Sequence, residues 1–307
     1  MTDQSTHAVL GGTGVAGRET VRALRDLGES VASVARRPAH TTGVTSIVAD
    51  LLVPDDVLRA LRGADVAYLT AGLPYSSRVW AQQWPVIVRN TVDAAIANGT
   101  HLVYLDNVYA YGHVDGAMTE TTPIRATSRK GRIRAAALRT LDEAADRGLV
   151  VTIARSADFY GPGATTSVFN SFALDNIAAG KDGTWLFDAD QPHSLNYTPD
   201  IGRALAILGT QQAARGRSWH VPTAPALTGR QYIELAAGPQ ARTRVMGLGT
   251  MRVGALFNSA ARESLELAYQ NTAPYLFDSR LFETTFGVGA TPIEVGIAAT
   301  LAAVPAE

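Results

Sequence analysis

The apolar run His7-Ala8-Val9-Leu10 leads into Gly11-Gly12-Thr13-Gly14-Val15-Ala16-Gly17, and this segment constrains the fold more than any other. Apolar positions Val15, Val21, Leu24 and Leu27 follow at helical spacing and stop at Gly28, so the segment predicts strand, tight turn and helix. In such a unit Gly11 permits the turn, Gly14 lets backbone approach a pyrophosphate, and Gly17 lets the helix lie close on the strand. The helix start, with Thr13 and Val15 beside it, then offers free N–H groups and positive dipole to an anion. A bound dinucleotide is the expectation; a glycine turn with no ligand is the alternative.

The pattern repeats. Val31–Ala35, Val44–Ala49, Asp65–Thr70, Leu102–Leu105 and Leu149–Ala154 read as strands. They alternate with helical stretches at Asp55–Leu61, Pro85–Asn98 and Ser128–Arg147. Strands alternating with helices imply βαβ units, a parallel sheet and ligands at the strands' carboxyl ends. The second half is less regular. Pro199–Leu208 reads as a helix returning to the first domain and Trp219–Val221 as a strand. Helices are expected near Gly229–Ala237, Met251–Gln270, Ser279–Phe286 and Ile293–Ala303. The predicted fold is α/β, a doubly wound parallel sheet with a smaller, mainly helical C-terminal substrate lobe. The cofactor domain covers residues 1–160 plus the returning helix 199–209, and the lobe covers 161–307.

Composition narrows the function. A net charge of −1 argues against nucleic acid, which needs a basic surface. No apolar run approaches the ~18 residues of a membrane span. The polar start, Met1–His7, has no secretory pattern, which favours a cytoplasmic location. The chain has no cysteine and its six histidines are scattered, so no metal is expected. The end of the second strand reads Ser33-Val34-Ala35-Arg36-Arg37, without the carboxylate that holds an NAD ribose. An arginine fork grips a 2′-phosphate, so NADP(H) is preferred over NAD(H); a solvated turn is the other reading of Arg36 and Arg37. Asp50-Leu51, ending the third strand, suits the adenine edge or a helix cap.

The glycine spacing resembles that of the extended short-chain dehydrogenase/reductases, which include nucleotide-sugar epimerases and dehydratases. The resemblance runs along nearly the whole chain. Leu69-Thr70-Ala71-Gly72 stands where that family places small residues beside the cofactor. Asp106-Asn107-Val108-Tyr109-Ala110-Tyr111-Gly112 is similar to its Ser-Ser-x-x-Val-Tyr-Gly segment. Arg155-Ser156-Ala157-Asp158-Phe159-Tyr160-Gly161-Pro162-Gly163 is similar to the segment flanking nicotinamide and substrate. Asn196-Tyr197-Thr198-Pro199-Asp200 and Ala290-Thr291-Pro292-Ile293 match later patterns. The resemblance implies a Rossmann fold with Gly11, Thr13, Gly14, Val15, Gly17, Arg36, Arg37, Asp50, Leu51, Ala71, Gly72, Lys130, Ser156 and Phe159 at the cofactor. It implies Tyr160, Ser167, Asn170, His193 and Tyr197 at the substrate, with Trp80, Trp84 and Trp185 as apolar walls. It also leaves room for a homodimer.

The resemblance breaks at the catalytic triad. The family uses Tyr-x-x-x-Lys on the long helix and a Ser or Thr after the fifth strand. Register fixed by Gly131-Arg132 puts Lys130 at the tyrosine, Arg134 at the lysine and Asn107 at the Ser/Thr position. No tyrosine occurs between residues 112 and 159. Arg134 can offer charge and hydrogen bonds to the ribose but cannot relay protons. Lys130 reads either as a proton donor with a lowered pKa or as a solvated helix-start residue. Tyr109 is the second proton source, and Asn107 can polarise a carbonyl through its amide.

The stretch 155–200 carries only Arg155 and Lys181 against Asp158, Asp175, Asp182, Asp188, Asp190 and Asp200, which weighs against a nucleotide sugar. The leading expectation is an NADPH-dependent reductase of a small carbonyl, conjugated carbonyl or imine. A cofactor-retaining epimerase, isomerase or dehydratase and a catalytically silent NADP(H) sensor are the alternatives. Substrate identity and oligomeric state are not readable from the sequence.

Overall fold

The computed structural model describes residues 5–304. Its centre is a parallel seven-stranded sheet. In chain order the strands are β1 (Thr6–Leu10), β2 (Ser30–Ala35), β3 (Thr45–Val48), β4 (Val66–Leu69), β5 (His101–Asn107), β6 (Val151–Ser156) and β7 (Ser218–His220). They lie side by side as β3-β2-β1-β4-β5-β6-β7. The order reverses beside β1, so the crevice at its carboxyl end opens between the chain segments after β1 and β4. The doubly wound α/β fold is therefore as expected.

Helices cover both faces. Helices α2 (Pro54–Ala60), α3 (Ser77–Asn98) and α4 (Arg129–Asp146) pack on one side. Val57, Trp84, Val88, Val92, Leu138 and Leu141 form the core there with Leu10, Val34, Leu69 and Leu102 of the sheet. On the other side lie α1 (Val15–Asp26) and α5 (Thr198–Thr210). Val21, Leu24, Ile201, Leu205 and Leu208 pack there against Val9, Val31 and Val103. The returning helix of the sequence reading is thus part of the sheet's second layer. A strand buried on both faces reads as a continuous apolar run, which is why these strands were visible in the sequence.

Two expectations are corrected. Helix α3 starts at Ser77 rather than Pro85, and Pro85 sits inside it. Proline favours a helix's first turn because it lacks an N–H, but the Ser76 hydroxyl caps this helix by accepting from Val79 N. The stretch 251–270 is not one helix. It forms α7 (Leu248–Gly254, following α6 at Gly229–Ala237), α8 (Ser259–Leu265) and a 3₁₀ turn, Ala268–Gln270. Asn258 restarts the chain as an N-cap, accepting from Ala260 N at 2.8 Å. Helix α9 (Arg280–Phe286) packs Phe282 and Phe286 against Trp219 of β7, and α10 (Ile293–Ala302) completes the lobe. Its core gathers Tyr160, Phe169, Trp185, Tyr232, Ile233 and Ile297. Among the described residues no helix is long and apolar enough to cross a membrane.

The glycine turn is sterically obligatory. Gly11 has φ +90°, and a Cβ there would stand 2.6 Å from Ala71 Cα. A Cβ on Gly17 would press on backbone alone, 2.8 Å from Gly11 C and 2.9 Å from Gly12 Cα. Backbone cannot swing aside as a long side chain can. Gly17→Ala should therefore destabilise the protein by about 1–3 kcal/mol through overpacking, read as a lower denaturant midpoint. An unchanged midpoint would show that α1 can slide on β1.

Candidate active site

The strand register sets the site. Asp106 lies opposite Arg155 and Asn107 opposite Ser156, at the carboxyl ends of β5 and β6. On α4 the buried positions Lys130, Arg134, Leu138 and Leu141 recur at helical spacing, which turns Lys130 and Arg134 inward. Asp106, 2% exposed, accepts from Arg134 Nε at 2.8 Å and from Arg155 Nε at 3.1 Å. Arg134 also donates to Leu105 O at 2.9 Å and lies 4.5 Å over the Trp84 ring. Arg155 donates to the Tyr111 hydroxyl, which in turn meets His220 Nε2 at 2.8 Å. The other His220 nitrogen faces Asp278 O at 2.8 Å and must carry the proton. Burial, with Arg155 nearby, pushes this imidazole down to about 3, so it is neutral.

Lys130 is fully buried. Its ammonium donates to a Glu263 carboxylate oxygen, to Glu266 Oε1 at 2.7 Å and to Glu263 O at 3.1 Å, and it lies 4.2 Å over the Tyr75 ring. All three donors are thus engaged. Glu263 also accepts from Ser77 N at 2.9 Å and Ser77 Oγ at 3.0 Å, and Glu266 accepts from Arg129 N at 2.9 Å. Each carboxylate sits at a helix N-terminus, α3 and α4 respectively, where the dipole favours negative charge. The lobe is bolted across the cleft by these contacts. Burial pushes the Glu263 carboxyl up, but hydrogen bonds from Lys130 and Ser77 outweigh it and hold it below the usual carboxylate range.

Of the other expected catalytic groups, Tyr109 stacks on Trp80 with ring centroids 6.1 Å apart. Burial raises its hydroxyl well above the usual tyrosine range, with added contributions from Tyr75 and Asp158, so it stays protonated. Asn107 Oδ1 accepts from Tyr109 N at 3.0 Å. Its amide N–H₂ makes no hydrogen bond among the described residues and is the free donor at the end of β5.

At the cofactor end, Gly14 is the N-cap of α1 and supplies no side-chain acceptor. The first turn of α1 holds no acid. Its N–H groups are left to an anion, and Gly72 has open space where a Cβ would stand. Arg36 and Arg37 are exposed just beyond β2 and make no ion pair among the described residues. Asp50 Oδ1 accepts from Leu52 N at 3.0 Å, and Leu51 O accepts from Asn90 Nδ2 at 2.9 Å, which fixes this corner. The residues present therefore fit a nicotinamide dinucleotide. Thr13 and Val15 flank Gly14 at the start of α1, and Ala71 stands against Gly11. Ser156 Oγ donates to Asn196 Oδ1 at 3.0 Å, and Phe159 packs in the second core layer.

The expected substrate residues divide. Tyr160 is 1% exposed among Phe169 and Tyr197. Asn170 spends both ends of its amide on Gly161, at 3.2 and 2.8 Å, and Ser167 Oγ donates to Phe159 O at 2.7 Å. Ser167 and Asn170 fasten the turn, their side-chain polar groups spent on internal partners, and Tyr160 is part of the lobe's aromatic core. Tyr197 is half-buried. His193 meets Asp158 Oδ2 at 3.0 Å and lies beside Tyr275. Sequence reasoning missed Tyr75, Asp158, Glu263, Glu266, Tyr269 and Tyr275 as site residues. Only Asp158 carried a signal, its place in the Arg155–Gly163 segment.

The profile of the NAD dependent epimerase/dehydratase family matches residues 7–221, and the chain belongs to that family. A search of curated proteins finds no match by sequence. Among solved structures, UDP-N-acetylglucosamine 4-epimerase from Bacillus cereus superposes with TM-score 0.76 at 16% identity, over 97% of this chain and 96% of that one. UDP-glucose 4-epimerase of Thermotoga maritima, solved with UDP-glucose, gives 0.78 at 16% identity over 97% and 98%. MoeE5 in complex with UDP-glucuronic acid and NAD gives 0.76 at 22% identity over 97% and 98%. The expectation against a nucleotide sugar is corrected by these matches. The same fold holds UDP-sugars in the last two, so a count of acids over 155–200 does not exclude one. Many of this chain's acids are already neutralised or turned away, as Asp200 is by Arg203 and Asp190 by Arg230.

Two outcomes test the site. Asp106→Ala strands two buried guanidiniums and should cost about 3–5 kcal/mol of stability, seen by chemical denaturation; a loss near zero would mean that Arg134 and Arg155 find other partners. The depressed Glu263 carboxyl predicts a bolt that is fully present above the unfolded value of 4.5 and is lost as pH falls through the lower folded value. Amide exchange at Ser77, corrected for its intrinsic rate, should accelerate over that acid range and already at neutral pH in Glu263→Gln.

Proposed function

We propose that this protein is an NADP(H)-dependent enzyme that moves hydride to or from a sugar carbon of a nucleotide-linked substrate, in the manner of epimerases and dehydratases. The observation that carries the reading is the open first turn of α1 above Gly14 with the unpaired Arg36 and Arg37 at the end of β2. The N–H groups of that turn would hold the pyrophosphate, and the two arginines the 2′-phosphate. Asp50 would meet the adenine side. When bound, the nicotinamide supplies a hydride acceptor and donor. The Asn107 amide would orient a substrate oxygen, and the contacts of Lys130 with Glu263 and Glu266 would close the cleft to water. The UDP-sugars in the similar folds support the substrate class.

A second reading, a silent NADP(H) sensor, is favoured by one observation. Lys130 and Arg134, at the family's two catalytic positions, have their donors engaged inside the protein.

Fluorescence titration and a panel of UDP- and dTDP-sugars followed by NMR decide between them. Sugar conversion without net change in nicotinamide absorbance supports the proposal. Net NADPH oxidation by simple ketones, enones or imines instead identifies a small-carbonyl reductase. Tight binding with no conversion identifies the sensor. The double variant Arg36→Ala/Arg37→Ala should raise the Kd for NADP⁺ about tenfold or more, equivalent to about 1.4 kcal/mol, and leave that for NAD⁺ nearly unchanged. Equal effects on both would remove the NADP(H) preference.

A further inference from the structure

His193 is 3% exposed, yet both its ring nitrogens face oxygen. Nδ1 lies 3.2 Å from Gln270 O and Nε2 lies 3.0 Å from Asp158 Oδ2. A carbonyl oxygen only accepts, so Nδ1 carries a proton. The contact of Nε2 with a carboxylate oxygen then requires a second proton between the two. The ring cannot turn away from this arrangement. It lies flat on Tyr275, centroids 4.3 Å apart, and edge-on against Trp185.

Asp158 is placed differently. Its side chain is 36% exposed, and its other carboxylate oxygen makes no hydrogen bond among the described residues. Its N–H donates to the Tyr275 hydroxyl at 3.2 Å. Asp158 stands two residues past the end of β6, beyond the carboxyl ends of β5 and β6 where Asn107 and Ser156 lie opposite each other. Burial raises the hydroxyls of Tyr75, Tyr109, Tyr269 and Tyr275, and the nearby Asp158 charge adds to the rise.

We propose that Asp158 is the proton-transferring group of this cleft and that His193 is its positioning partner, the two sharing one proton. The assignment rests on the functional reading above. Without the shared proton the pair is a carboxylate beside an imidazole protonated at Nδ1 alone; with it the pair is neutral overall. Oxidation of a substrate carbinol starts from the pair without its shared proton, and the O–H proton passes to Asp158 and bridges to His193. The C–H bond breaks, its electron pair leaves as hydride to the oxidised nicotinamide, and a carbonyl forms. In reduction the bridging proton passes through Asp158 to the carbonyl oxygen as hydride returns to carbon. One proton and one hydride move in each direction, so the family's tyrosine is not needed.

Two measurements test the proposal. Proton NMR of wild type and Asp158→Asn, without cofactor or substrate, reads the pair directly. A far-downfield proton coupled to His193 Nε2 should be present in wild type and lost in the variant. Its absence from wild type, or its persistence in the variant, overturns the pair. Kinetics with NADP⁺ and a converted nucleotide sugar read its role. Asp158→Asn should lower kcat about a hundredfold, with KM and the Kd for NADP⁺ within about threefold of wild type. His193→Gln should lower kcat less and displace the pH profile, and Asp158→Glu should recover part of the loss. A kcat for Asp158→Asn within about threefold of wild type overturns the catalytic role. If Asp158→Asn does not fold, Asp158→Glu and His193→Gln carry the same comparison. Failure of wild type to bind NADPH overturns the functional reading and the catalytic role together, whereas the NMR arm judges the shared proton independently.

Discussion

The buried carboxylate of Asp106 holds together the three elements on which the cleft depends. It ends β5, accepts from Arg155 at the end of β6 and accepts from Arg134 on α4. A charge this deep is costly to desolvate, and the cost is offset only because both its oxygens are paired with guanidiniums. The guanidiniums are supported in turn by aromatic faces, Trp84 and Tyr104 under Arg134 and Tyr111 under Arg155. Because each partner is fixed by more than one contact, α4 cannot rotate or slide without breaking several interactions together. Lys130 is carried one turn before Arg134 and is therefore fixed as well.

That fixed lysine transmits the order of the sheet to the lobe. Glu263 and Glu266 reach it from α8 and the residues just beyond, and each also caps a helix of the sheet domain. The result is a coupled arrangement in which cleft closure and helix capping are satisfied by the same two carboxylates. On this face of α4 Lys130 and Arg134 serve structure, tied to Glu263, Glu266 and Asp106. Their donors are engaged inside the protein, and Asp158 with His193 is the partly exposed acid that the geometry offers.

Much of the fold was legible because the central strands are buried on both faces and three of the long helices stop at glycines. Continuous apolar runs and stops such as Gly28, Gly99 and Gly148 are local signals, and they located the sheet. The glycine turn was legible in its local spacing, and the contact that demands Gly17 lies within seven residues, whereas the one that crowds Gly11 comes from Ala71 across the sheet. The start of α3 and the break after Gly254 were misread because capping by Ser76 and Asn258 is a weaker signal than a proline or a run of helix formers. The candidate site was legible only in part. Asn107 and the arginines after β2 have donors without a partner among the described residues. Ser167 and Asn170 lie in the expected segment but have their polar groups satisfied internally, and Tyr160 is buried in the lobe core.

The sequence by itself determined the doubly wound sheet and the glycine turn after β1, since each is written in residues close together in the chain. Only the tertiary structure decided what Lys130 does. Its partners Glu263 and Glu266 lie more than a hundred residues away, and nothing in local spacing says that two carboxylates of one short helical stretch will meet it. The same holds for Asp158 and His193, whose shared proton follows from a stacked, immobilised ring and a carbonyl from Gln270. Electrostatic partnership depends on distance in space and on burial, and neither is encoded in any short segment.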